Sequence, residues 1–102
     1  MNGGCVCGNI RFSATGEPDF PHLCSCPHCQ RLSGAPVMAW PTETHPAIER
    51  GFCPACGASV ASRGDVPGNV GVTIFALDDH SELVPEHQSF KDNAVPWMAP
   101  LG

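Results

Sequence analysis

A chain of 102 residues with 15% charged side chains has room for one domain, 1–102, and excludes multi-domain and extended coiled-coil readings. Leu, Ile, Val and Phe make up about a fifth of it, near the level below which chains tend not to fold, and Gly and Pro number 11 each, so the core is thin and turns are many. The net charge of −5 and the scattering of the five basic residues (Arg11, Arg31, Arg50, Arg63, Lys91) argue against a nucleic-acid partner, because phosphates would be repelled.

Residues 9–14 alternate, with Ile10, Phe12 and Ala14 on one face and Asn9, Arg11 and Ser13 on the other, which is the period of a half-buried strand. Gly16, Glu17 and Pro18 end it in a turn. A short helical turn follows Cys29 through QRLSG. Further short strands are expected over 36–40, 48–52, 58–62, 70–75 and 87–90, each bounded by Gly, Pro, Asp or Asn. Asp78 or Asp79 caps a short helix before HSEL, which Val84-Pro85 stops. The expected fold is a small, mainly antiparallel β domain. No run of about 18 apolar residues suggests a membrane span, and no basic-then-apolar leader opens the sequence. We therefore expect a cytoplasmic protein without a membrane partner.

The seven cysteines fall into three groups: Cys5 and Cys7; Cys24, Cys26 and Cys29; and Cys53 and Cys56. An odd number, with pairs as close as Cys5 and Cys7, disfavours a disulfide framework. Metal binding is the better source of the stability that so thin a core lacks. In FCPACG, two cysteines two residues apart, with Pro between and Gly after, form a zinc knuckle, and Gly57 can take a positive φ that turns backbone amides toward the thiolates. A knuckle supplies two ligands, and Cys5 and Cys7 complete a closed site that ties distant parts of the chain together. Cys24, Cys26 and Cys29 then form a set of three with one position open, the arrangement that separates catalytic from structural zinc. Two ions per chain are expected. A rival partition joins Cys26 and Cys29 to Cys53 and Cys56 as a zinc ribbon. His22 or His28 could also close the fourth position of the middle set, while His45, His80 and His87 have no ligand spacing to one another.

Three thiolates outweigh the charge of Zn²⁺ by one, which makes the ion a poor generator of hydroxide and a soft partner for a further thiolate. Such a site suits binding a substrate thiol in its nucleophilic form.

The order GGCVCGNIRF, CSCPHCQRLSGAP with AW after it, ERGFCPACGA, VTIFALDD, and EHQSF with VPW near the end resembles the glutathione-dependent formaldehyde-activating enzyme family, which includes centromere protein V. The resemblance runs nearly from end to end. It implies an Mss4-like all-β fold, a structural zinc on Cys5, Cys7, Cys53 and Cys56, and a second zinc on Cys24, Cys26 and Cys29. It also implies a carbon-sulfur lyase activity that joins formaldehyde reversibly to glutathione as S-hydroxymethylglutathione. In this chain Ser25 stands where the family usually has His, and only eleven residues lie between Trp40 and Phe52, where the family places a strand pair. A hairpin needs about 12 to 14 residues, so one strand is expected there. Arg31 and Arg63 are the cations best placed by sequence to hold the carboxylates of glutathione. The competing class is a structural or protein-binding zinc module. A methionine sulfoxide reductase would need a redox cysteine late in the chain, and none follows Cys56. Trp40 is expected in the core. Trp97 either lines a pocket or completes the core, and VPWMAPLG either packs onto the domain or forms a homodimer contact.

Overall fold

The computed structural model describes residues 1–42, 47–64 and 69–102; His45 lies outside them. In chain order the strands are β1 (Asn2–Gly4), β2 (Arg11–Ser13), β3 (His22–Cys24), β4 (Met38–Trp40), β5 (Ala47–Phe52), β6 (Ser59–Gly64), β7 (Val70–Val72) and β8 (Gln88–Ser89). One helix, α1 (Pro27–Ser33), joins β3 to β4, and 3₁₀ turns occupy Ile74–Ala76 and Lys91–Asn93. The protein is mainly β. Among the described residues the strands form three small sheets, β1-β2, β4-β3-β8 and β5-β6-β7, and every pairing is antiparallel except β3 with β8.

The alternating segments form strands where expected, trimmed at their ends. The 9–14 segment becomes β2, with Phe12 opposite Gly3 of β1. Among the described residues a single strand, β5, lies between Trp40 and the second cysteine knuckle. The 70–75 segment pairs only as far as Val72, because Thr73 turns the chain into a 3₁₀ turn that buries Ile74. Two strands carry no alternation to read. β1 contains Gly3 and Gly4, which have no side chains to alternate, and β3 is three residues long with His22 and Cys24 both buried.

The turn expected after Cys29 is the second half of a helix that begins earlier. Cys26 is its N-cap, the Cys26 Sγ accepting from the Cys29 N–H at 3.2 Å. Pro27 at the first turn has no N–H to leave unpaired, and Gly34 closes the helix at φ 66°, a left-handed conformation that suits glycine. The helix expected to start at Asp78 or Asp79 and run through HSEL does not form. Asp79 Oδ1 accepts from the Ser81 N–H and hydroxyl at 3.2 and 2.8 Å, and this makes an isolated turn ending at buried Leu83. Pro85, which disfavours helical backbone at Val84, leaves no room to extend it.

Two buried clusters make the core. One is Ile74, Leu77 and Leu83, with Phe12, Ala39 and Val72 against them. The other is Cys24, Cys26, Cys29, Met38 and Trp40, with Leu32 packed alongside. Three of the five buried members of the second cluster are cysteines, so that part of the core is also a set of groups that could hold a metal ion.

Candidate metal centres

The first centre is built from two similar turns. After β1 the chain folds back so that the Cys5 N–H reaches the Ile10 carbonyl at 3.1 Å, and the Ile10 N–H donates to Cys5 Sγ at 3.2 Å. Between β5 and β6 the Cys53 N–H reaches the Ala58 carbonyl at 3.0 Å, and the Gly57 N–H reaches the Cys53 carbonyl at 2.7 Å. In both turns the second cysteine is followed by a glycine with positive φ, Gly8 at 80° and Gly57 at 79°. The paired Cys-Gly steps are the sequence signal for this symmetry, and only the second is apparent from spacing alone. The turns bring the Cys5 and Cys7 sulfurs to 3.6 Å and the Cys7 and Cys53 sulfurs to 3.8 Å, with all four sulfurs, Cys56 included, within 4.8 Å of one another. A tetrahedral zinc with Zn–S bonds of about 2.3 Å sets its sulfurs about 3.8 Å apart, so these four residues fit such an ion.

Backbone amides prepare the first group for charge. The Ile10 N–H holds Cys5 down to about 6, and the Ala58 N–H lowers Cys56. The Asn9 amide also favours the Cys7 thiolate, but the neighbouring Cys5 thiolate and burial push Cys7 up to about 11. Without a metal Cys5, Cys7 and Cys56 therefore ionise unequally, and binding an ion would release the remaining protons.

The second centre sits at the start of α1. Cys24 ends β3, Cys26 caps the helix and Cys29 lies in its first turn, so a strand end and a helix start converge three sulfurs within 4.8 Å. All three are buried, at 0, 5 and 1% exposure. Cys29 is held down to about 5 by the Cys24 thiol, against burial, with help from Cys26, a hydrogen bond from Trp40 and the charge of Arg50. Cys24 is pushed up, first by that Cys29 thiolate and then by burial.

The cysteines divide as 5, 7, 53, 56 and 24, 26, 29, and the ribbon grouping of Cys26 and Cys29 with Cys53 and Cys56 is not the one the structure forms. Among the described residues no histidine joins either group. His22 is buried, donates from Nδ1 to the Phe20 carbonyl at 2.8 Å and stacks on the Phe20 ring. His28 is exposed on α1. Ser25 is fully buried and its hydroxyl accepts from Gln88 Nε2, so it serves the packing of β3 on β8.

The structure separates the two arginines suggested by sequence. Arg31 is exposed in the last turn of α1, and Arg63 forms an exposed cross-strand ion pair with Glu49 in the third sheet. The cation beside the buried cysteines is Arg50, whose guanidinium carbon lies 5.6 Å from the centre of the Trp40 ring. Sequence reasoning missed it because Arg50 precedes the other knuckle, and only the pairing of β5 with β6 brings it to this side. Trp40 is 2% exposed, whereas Trp97 is 75% exposed. Among the described residues no helix is long and apolar enough to cross a membrane.

No curated protein matches the chain. Residues 1–44, which carry Cys5, Cys7 and the whole Cys24, Cys26, Cys29 set, match the family model described as glutathione-dependent formaldehyde-activating enzyme.

Proposed function

We propose that the chain, 1–102, is a single domain acting as a zinc-dependent carbon-sulfur lyase that joins glutathione and formaldehyde reversibly to give S-hydroxymethylglutathione. The observation that carries this reading is the buried set of three thiols, one ligand fewer than the neighbouring set of four, in the segment that matches the family model. Cys5, Cys7, Cys53 and Cys56 would hold a structural zinc, and Cys24, Cys26 and Cys29 would hold a second zinc with one position left for a substrate thiol. When bound there, zinc supplies a soft acceptor for a thiolate. The thiol sulfur adds to the carbonyl carbon, the C=O π pair moves to oxygen, and the proton lost by the thiol ends on that oxygen, so no oxidant or co-reactant is consumed. Trp40 donates to Cys29, which favours the Cys29 thiolate, and the Cys29 N–H donates to Cys26 Sγ, which orients that sulfur. Among the described residues Arg31, exposed near the end of α1, has no ion pair, whereas Arg63 reaches a substrate carboxylate only by giving up Glu49.

The near-complete burial of the three thiols favours a second reading, a structural or protein-binding metal module. Exchange kinetics between formaldehyde and glutathione, measured for wild type and Cys26→Ser with equal metal in the four-cysteine site, separate the two. Exchange faster than buffer in wild type alone supports the lyase. Rates equal to buffer in both proteins overturn it in favour of the module.

A further inference from the structure

The Arg50 guanidinium is in an unusual place for a charged group. Nη1 donates to the buried Ser62 hydroxyl at 3.1 Å, and Nε and Nη2 are buried without a hydrogen-bond partner among the described residues. Leaving donors of a charged group buried and unpaired is costly, and such groups are normally paired or neutralised. Among the described residues the salt bridges are Arg11 with Asp78 and Arg63 with Glu49, and neither involves Arg50. Glu49, the adjacent residue in sequence, points its carboxylate at Arg63. The face of Trp40 lies against Arg50, and Trp40 in turn donates to Cys29.

The opposite problem exists across that ring. Three thiolates around a divalent ion leave one net negative charge in a buried cluster whose other members are Met38, Trp40 and Leu32. A net charge in such surroundings is strongly disfavoured unless a counter-charge is nearby. The two deficits cancel each other. We propose that Arg50 is a positioning residue for the Cys24, Cys26 and Cys29 centre, its guanidinium supplying the positive charge that offsets three thiolates around a divalent ion, with Trp40 as the spacer and the donor to Cys29. This inference rests on the reading that the three-cysteine group holds a metal. A substrate carboxylate is the less fitting partner for Arg50, because Nε and Nη2 are out of reach of solvent.

The test is zinc partition between the full-length protein and a chromophoric chelator, following the weaker and the tighter ion separately, in wild type, Arg50→Met and Arg50→Lys. The expected result for Arg50→Met is a loss of about 10-fold or more in affinity for the weaker ion, with the tighter ion unchanged. Arg50→Lys, which keeps the charge, should recover most of that loss. Cobalt(II) loaded in place of zinc should show altered thiolate-to-metal absorption in Arg50→Met and near-normal absorption in Arg50→Lys. Two ions in wild type with unchanged affinities in Arg50→Met overturn this inference and leave the two-metal reading standing. Equal weakening of both ions in both variants also overturns it, since that pattern marks a general packing role. A wild type that takes up one ion overturns the two-metal reading, and the inference falls with it.

Discussion

Cys26 illustrates how one residue serves two functions. Its sulfur belongs to the three-thiol group and also caps α1 by accepting from the Cys29 N–H. Serine is among the best N-cap residues, so Cys26→Ser keeps the helix start while removing a soft metal ligand. Cys53 has no such second use; its sulfur is fully buried beside Cys7. We therefore expect Cys53→Ser to cost about 3 kcal/mol or more of stability in the metal-loaded protein, as loss of a structural ligand does. Cys26→Ser should cost markedly less and lose thiol exchange. Chemical denaturation of the two variants side by side checks the contrast, and equal losses would argue that both metal groups are structural.

At the scale of elements, the amino-terminal strand depends on close backbone approach. A Cβ on Gly3 would sit 2.3 Å from the Ala76 carbonyl oxygen and 2.5 Å from the Phe12 ring, so Gly3→Ala forces β1 away from the 3₁₀ turn that it bridges through Leu77. The expected cost is about 2 kcal/mol or more, read as a melting temperature lower by about 10 °C. The same junction carries an ion pair. Arg11 Nη1 donates to Asp78 Oδ1 at 3.0 Å, and the Asp78 N–H reaches the Asn2 carbonyl at 2.9 Å. The Arg11 hydrogen bonds hold the Asp78 carboxyl below its usual range. A depressed carboxyl stabilises the fold above its unfolded value, about 3.9, and that contribution disappears as pH falls through the folded value. The melting temperature of Asp78→Asn should therefore lie below that of wild type at neutral pH, with the gap closing below about pH 4. Both proteins carry the same metal groups, so acid-driven metal loss cancels in the comparison. A gap that persists unchanged at pH 3 would show that the Asp78 side chain acts through something other than its charge.

For the molecule as a whole, the balance between core and metal decides stability. Of the buried apolar residues among those described, four are cysteines, and the other six are divided between two clusters and Val60 on the central strand of the third sheet. The first metal group joins the turn after β1 to the turn between β5 and β6, 46 residues apart at Cys7 and Cys53. A metal bound there would constrain the unfolded chain across nearly half its length and add its binding energy to folding. We expect two zinc ions per chain in the reduced protein by elemental analysis, and loss of cooperative unfolding after removal with a strong chelator. A chelated protein that melts cooperatively at an unchanged temperature would show that the apolar clusters suffice by themselves.

What the sequence determined by itself is the local chemistry: the alternation that makes β2, the Pro and Gly that bound α1 and the strands, and the cysteine spacing that turns FCPACG into a knuckle with Gly57 at positive φ. These features depend on neighbours a few residues apart, and residue type alone fixes them. The β1 and β3 strands escaped that reading because glycine and three-residue buried segments have no period to display. Only tertiary structure decided which cysteines share a group, because the Cys7 and Cys53 sulfurs meet through the packing of separate sheets. It also decided the roles of the arginines. Arg63 is taken by Glu49 across the strand pair, while the same pair of strands turns Arg50 inward over Trp40. Neighbouring residues on a strand face opposite ways, and which face meets the metal-binding core depends on sheet register, a long-range property that no local pattern encodes.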